Sequence, residues 1–185
     1  RIKTLILIKL SDEVIVGNQV LYNWVSKRNK NCHIVPTSID YDLYSNAKIN
    51  CKRTSDKFII GWIGDGEAHF KNLKLVAEPL KDLAKKYRFK LQLIGTKNYA
   101  PLKSFWDRYK SDYEIEMIDQ LDWKTKGVAL KYICNFNIGL MPLIDNNFNR
   151  GKCAYKALEY MACGVPAVIS PVGENNTLII DGENG

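Results

Sequence analysis

The sequence predicts an α/β protein, a parallel β-sheet with helices on both of its faces. Three observations carry that prediction. From residue 57 onward, short apolar runs alternate with segments of helical period, the pattern of successive βαβ units. The first two runs, KFIIGWIG (57–64) and FKLQLIG (89–95), both end in glycine, where a strand gives way to a loop. The stretch GKCAYKALEYMACGVPAVIS (151–170) reads as a glycine, a helix, a helix stop and a buried strand.

In chain order, RIKTLILIKL (1–10) fits a helix or a strand equally. SDEVIVGN (11–18) is a strand, EVIV, closed by Gly-Asn. QVLYNWVSKR (19–28) has a helical period through Val20, Leu21, Trp24 and Val25. HIV (33–35) is a short strand stopped by Pro36. Residues 41–56 are polar and without a sustained period, which predicts a linker between two units. After strand 57–64, KNLKLVAEPLKDLAKKYR (71–88) reads as an amphipathic helix through Leu73, Val76, Leu80 and Leu83, with Pro79 able to kink or split it. Strand 89–95, helix PLKSFWDRYK (101–110) and strand YEIEMI (113–118) follow. DWKTKGVALKYIC (122–134) reads as a helix weakened by Gly127, and FNIGLMPL (136–143) as a fourth strand. Next come the loop IDNNFNRG, a helix over 152–163 ended by Gly164 and Pro166, and AVIS as a central strand.

The candidate site lies in that last stretch. On a helix, Lys152, Lys156 and Glu159 share one stripe, while Ala154, Ala157, Leu158 and Met161 face a sheet. Gly151 lets the backbone approach a ligand closely at the helix start, and the free N–H groups of a first turn favour an anion. Two lysines strengthen that preference, and the carboxylate can hold sugar hydroxyls. The stripe therefore predicts a cradle for a diphosphate and a ribose. The competing reading is an ordinary amphipathic helix with a solvated polar face. Gly64, Gly95, Pro142 and the loop 144–151 all fall at the carboxyl ends of predicted strands, where parallel sheets bind ligands.

Composition narrows the function classes. The 185 residues are 46% hydrophobic and 25% charged, as in a globular protein, and no apolar run approaches the roughly 20 residues of a membrane span. The chain opens on Arg1 and closes on IIDGENG, so it is read as a piece of a longer protein. Net charge is +7, but the lysines are dispersed. No zinc-finger spacing, basic arm or RNP-like motif is present, which argues against nucleic acid. Cys32, Cys51, Cys134, Cys153 and Cys163 form no CxxC pair and are odd in number. Free thiols in a reducing cytoplasm are expected.

The same stretches carry a resemblance. SDEVIVGN…NCHIVPTSID, FIIGWIGD…FKNLKLV, LQLIG, FNIGLMPL and GKCAYKALEYMACGVPAVISPVGENNTLIIDGENG together resemble retaining, nucleotide-sugar-dependent glycosyltransferases of the GT-B fold, in the "glycosyl transferases group 1" family (glycosyltransferase family four). The most specific part is LEYMACGVPAVIS followed by G-x-x-E/N…I-x-DG-x-NG. The resemblance implies two Rossmann-like domains facing across a cleft. Residues 1–40 would end the N-terminal acceptor domain, 41–56 would be the interdomain linker, and 57–185 would be the C-terminal nucleotide-sugar-binding domain without its closing helices.

Residue by residue, Glu159 matches the second glutamate of the family's Glu-x7-Glu motif, which holds the donor ribose. The first glutamate, which contacts the donor sugar, falls on Gly151; Asp145, Asn147 and Arg150 are candidate substitutes. Of the family's Arg…Lys-Gly phosphate clamp, Asp65 stands near the arginine, and Lys71-Asn72 matches the lysine and its follower. Diphosphate contacts are therefore expected from Lys152, Lys156, Lys71 and Gly64. The base is expected near Asp119 to Trp123, with Gln120 and Gly95 the named contacts.

The implied reaction transfers a glycosyl group, with retention, to a glycan or lipid-linked acceptor in cell-surface polysaccharide or glycolipid synthesis. Fixed positive charge would stabilise the leaving diphosphate. With no Asp-x-Asp or histidine cluster, no metal or other cofactor is expected. A cytoplasmic location is expected, with peripheral contact at the inner face of the membrane. Catalytic residues are expected in the N-terminal domain beyond this chain, leaving the fragment inactive alone. His33 is read as structural, and His69 as a lesser ligand candidate. The alternatives are a non-catalytic nucleotide-sugar-binding module and a GT-B-like epimerase or phosphorylase. No GxGxxG follows a strand, which argues against a dinucleotide dehydrogenase.

Overall fold

The computed structural model describes residues 2–50, 55–122, 124–125 and 127–185, and the side chains of these except 47–50. The chain starts with α1 (Ile2–Leu10), β1 (Val14–Val16), α2 (Gln19–Val25) and β2 (Cys32–Ile34). The ambiguous first ten residues are thus helical. Asn18 caps α2 by accepting from the Leu21 amide at 2.9 Å, so the Gly-Asn that closes the strand also opens the helix. β1 and β2 pair in parallel, Val14 opposite Cys32, around a small core of Ile8, Val16, Val25 and Cys32.

The stretch expected to be a linker, without a sustained period, contains α3 (Tyr41–Asn50). Its amphipathic signal is weak because few of its residues are apolar. Two of them, Leu43 and Tyr44, nonetheless reach the core, and Asp40 accepts from the Leu43 amide at 3.1 Å to start the helix.

The main sheet is built from β3 (Ile59–Ile63), then α4 (Gly66–Leu73), a 3₁₀ turn (Lys74–Val76) and α5 (Ala77–Ala84). β4 (Lys90–Ile94), α6 (Ala100–Asp107) and β5 (Glu114–Ile118) follow. The helix expected over 71–88 is therefore two helices. Pro79 has no N–H and its ring crowds the carbonyl of Leu75, and the break falls at that point. The helix expected over 122–134 shrinks to α7 (Leu130–Ile133), because Gly127 takes φ +75° and the chain turns there.

β6 (Ile138–Met141), α8 (Asn147–Arg150), α9 (Tyr155–Ala162), β7 (Ala167–Ile169) and α10 (Asn175–Leu178) complete the described chain. The helix expected from Lys152 starts three residues later. Ala154, buried, takes the left-handed conformation (φ 52°, ψ 23°) and separates α8 from α9. Its end is as predicted, at Gly164 with φ +70°.

All five strands run parallel in the order β5-β4-β3-β6-β7. β7 thus lies at the end of the sheet and not, as its apolar sequence suggests, in the middle; Val168 is exposed. Strand alternation divides the core. Ile60, Trp62, Leu91 and Leu93 face one way, against α4, α5 and α6 through Leu73, Leu80 and Trp106. Ile59, Ile63 and Ile94 face the other, against α3, α7 and α9 through Tyr44, Ile133 and Tyr160. The predicted α/β sheet with helices on both faces is what forms. The chain winds outward from β3 in one direction and then, from β6, in the other. The crevice of such a sheet opens beyond the carboxyl ends of the two strands at the reversal, here β3 and β6.

Of the cysteines, Cys32, Cys153 and Cys163 are free thiols. Cys134 is disulfide-bonded, against the expectation of free thiols throughout, and its partner is not among the described residues. Sequence spacing carries no information on which sulfurs the fold brings together.

Candidate functional site

Beyond the end of β3 lies a cavity of about 400 Å³. Gly64 and Ile63 from β3, Lys156 and Glu159 from α9, Tyr44 from α3 and Thr125 from the turn before α7 line it. Three of the predicted contacts, Gly64, Lys156 and Glu159, therefore meet in one place.

Their contacts are specific. Lys156 lies over the backbone of Gly64: a Cβ there would stand 2.7 Å from Lys156 Cε and 3.1 Å from the buried Trp62 ring. The Lys156 ammonium also lies 5.8 Å from the centroid of that ring. Burial holds its pKa below the ordinary lysine value, with Glu159 and Asp65 opposing the shift. Burial raises the Glu159 carboxyl above the usual carboxylate range, opposed by a hydrogen bond from the Tyr44 hydroxyl (2.6 Å to Oε1) and by Lys156. Burial and Glu159 in turn keep Tyr44 protonated, well above the ordinary tyrosine value.

Lys152, although off the helix, is brought back to the same face. Its Nζ lies 3.2 Å from Nε2 of His69 on α4. Burial, then Lys156, lowers the Lys152 ammonium to about 8. Burial, Lys156 and Lys152 together lower His69 to about 3, so at neutral pH it is uncharged. His69 packs against Trp62, ring centroids 5.7 Å apart. Lys152 and Lys156 concentrate positive charge, with Glu159 and Asp65 as acidic neighbours of Lys156 and the neutral His69 ring bracing Lys152, an arrangement that favours an anion.

The loop from β6 to α9 is pinned from below. Asn72 is buried one residue after Lys71, and its Oδ1 accepts from the Ile144 amide at 3.0 Å and from Asn149 Nδ2 at 3.1 Å. Asn149 Nδ2 also donates to the Ile144 carbonyl at 2.8 Å. From the N-terminal side, Asn18 Nδ2 donates to the Lys152 carbonyl at 3.1 Å, and a Cβ on Gly17 would overlap Cys153 Sγ. The 152–154 segment is thus held between β1's exit and α4.

The other predicted contacts sit elsewhere. Lys71 is exposed on α4, and two positions along a helix put it on a different side from His69. Arg150 and Asp145 form a two-pronged ion pair with each other, Nε to Oδ1 at 2.5 Å and the second guanidinium nitrogen to Oδ2 at 2.8 Å. Gly151 ends α8 instead of opening α9, and a Cβ on it would meet Leu21 of α2 at 3.3 Å. Its close neighbour is therefore α2. Gly95 (φ +86°) takes part in tight packing, its carbonyl accepting from the Gly66 amide at 2.8 Å. Gln120 is exposed in the loop after β5, and Trp123 lies outside the described residues. Asp119, in the same loop, is occupied by Thr96, the Asn98 amide and Lys103, which hold its carboxyl below the usual range. Where the base was expected near 119–123, the cavity wall is instead Thr125 and 127–130.

No curated protein matches the chain. A family model described as "Glycosyl transferases group 1" matches residues 57–185, which span β3 to the end of the chain. The chain belongs to the group 1 glycosyltransferases. Among solved structures, the catalytic domain of starch synthase IV from Arabidopsis thaliana, bound to ADP and acarbose, matches with a TM-score of 0.63 and 12% identity, over 97% of this chain and 43% of that one. That likeness is one of fold, the GT-B glycosyltransferase fold, and this chain spans less than half of that protein's length. In this group 1 glycosyltransferase the position expected to carry the first glutamate is Gly151, and a Cβ there would stand against Leu21 of α2. Among the described residues no helix is long and apolar enough to cross a membrane, and no cluster of three or more histidine, cysteine or acidic side chains is grouped to hold a metal.

Proposed function

We propose that the chain is the donor-binding part of a glycosyltransferase that moves a sugar, with retention at the anomeric carbon, from a nucleotide-diphosphate sugar to a glycan or lipid-linked acceptor. The observation that supports this reading is the pairing of Glu159 with Lys156 in one cavity beyond the carboxyl end of β3 in a parallel sheet. Glu159 accepts from ribose hydroxyls. Lys156 and Lys152, with the neutral His69 ring bracing Lys152, hold the diphosphate and stabilise its charge as the glycosidic bond breaks. The base lies against Thr125 and the turn at 127–130. Group 1 membership supports the transferase assignment over an epimerase or phosphorylase. The acceptor arrives from the side of α1 and α2, in the cytoplasm and at the inner face of a membrane, and supports cell-surface polysaccharide or glycolipid synthesis.

The test is calorimetric titration of the folded chain with ADP, GDP and UDP. Micromolar to low-millimolar binding of at least one, unchanged by EDTA, is expected from a site in which two lysines meet the diphosphate. No binding at millimolar ligand rejects the donor-site reading, and loss of binding on chelation rejects its metal independence.

A further inference from the structure

Tyr44 meets Glu159 across 115 positions of sequence, from a helix that shares no motif with it. It is buried in one core cluster with Ile59, Ile63, Leu130 and Ile133, and it also lines the cavity wall. There it donates to Oε1 of Glu159 at 2.6 Å. Among the described residues no other side-chain hydrogen bond reaches that carboxylate. Among the described residues one oxygen is therefore engaged by protein, and Oε2 is left for a ligand. A buried carboxylate with a single bond would otherwise rotate between orientations, and a short bond from a ring locked in the core removes that freedom. Tyr155, at the start of α9, faces the same Tyr44 hydroxyl and lines the same cavity. α3 contributes nothing to the sheet itself, but it packs on α9 and α7, the two helices that bound the cavity.

We propose that Tyr44 is a positioning residue of the ribose site: it fixes Glu159 so that Oε2 accepts a ribose hydroxyl, and so sets the preference for a ribonucleotide over its deoxy form. This rests on the donor-site reading above.

The experiment uses Tyr44→Phe, which keeps the buried ring and removes only the hydroxyl; retained fold is checked by circular dichroism. ADP, GDP and UDP are titrated into the wild-type chain, and the tightest is compared with its 2′-deoxy and 3′-deoxy forms and with pyrophosphate. The expected result is a loss of roughly 10-fold or more in affinity for the ribonucleotide, as for a hydrogen bond to a charged group. Affinity for pyrophosphate and for at least one deoxy form stays unchanged. In the Glu159→Ala background, Tyr44→Phe has no further effect on nucleotide affinity, because the residue acts through that carboxylate. Equal loss for every ligand, or no loss for any, overturns the proposal while leaving the donor site standing. An additional loss in the Glu159→Ala background overturns it as well. Failure of the wild-type chain to bind any nucleotide removes both the donor site and this role.

Discussion

The side chain of Lys156 lies across the backbone of Gly64, so close that a single methyl group on that glycine would stand 2.7 Å from Lys156 Cε. The glycine that ends β3 and the lysine of α9 are one unit, and the lysine's position depends on the absence of a side chain beneath it.

Gly64→Ala should therefore act on ligand binding through Lys156. The new Cβ displaces a flexible lysine but also meets the rigid, buried Trp62 at 3.1 Å. A stability loss of about 1–3 kcal/mol is expected from overpacking. Titration with ADP and adenosine should show a greater loss for the diphosphate; equal losses would mean that Lys156 does not contact phosphate.

Glu159 and Lys156 should separate in the same assay. Glu159→Ala weakens nucleoside and nucleotide together, because the ribose is common to both. Lys156→Met weakens the diphosphate by roughly 10- to 100-fold, the range for bonds to a charged group, and leaves the nucleoside unchanged. Parallel loss of both ligands in Lys156→Met would reject its phosphate role.

Binding should depend on pH through Lys152. Its ammonium titrates at about 8, facing Lys156 and His69, so it is charged below that pH and loses its charge above it. Diphosphate affinity should fall as pH rises from 7 to 9, with proton uptake on binding near pH 8, and Lys152→Met should flatten the profile. Stability follows a second limb. His69 titrates at about 3 in the folded chain against an ordinary value of 6.5. Between those values the unfolded chain holds the extra proton, so stability falls as pH drops through that window. His69→Gln should remove that part of the acid sensitivity in denaturant melts at pH 4 to 7; an unchanged melt profile would show that His69 is not buried neutral.

Asn72 should matter more than its place in a helix suggests. Asn72→Ala strands the Ile144 amide and removes the acceptor of Asn149 Nδ2 in a buried setting. A loss of about 1–3 kcal/mol is expected, as for a buried donor left unsatisfied. Hydrogen exchange at Ile144 and along 145–151 should quicken. Unchanged exchange there would separate the loop from α4.

The elements with two-residue or helical period could be read directly. Ile60, Trp62, Leu91 and Leu93 alternate with Ile59, Ile63 and Ile94 in sequence as they do across the sheet. α3 could not be read that way, since Leu43 and Tyr44 are adjacent and form no stripe; its one local signal was Asp40, a good capping residue three positions before Leu43. The start of α9 was misplaced because nothing in an alanine announces a positive φ. Glu159, Lys156 and Gly64, which helix period and strand exit mark in the sequence, line one cavity. Lys71 matched a motif by position, but its place on α4 turns it to solvent.

The sequence by itself determined the α/β class, the parallel strands and the charge carried by the 151–159 stretch. Burial repeats along each element with that element's own period, and so leaves a local record. Only the tertiary structure decided that Tyr44 holds Glu159, that His69 sits between Asn72 and Lys152, and that Leu21 packs beside Gly151. Those contacts join residues far apart in the chain, through buried groups whose partners are fixed by packing in three dimensions and leave no period in the sequence.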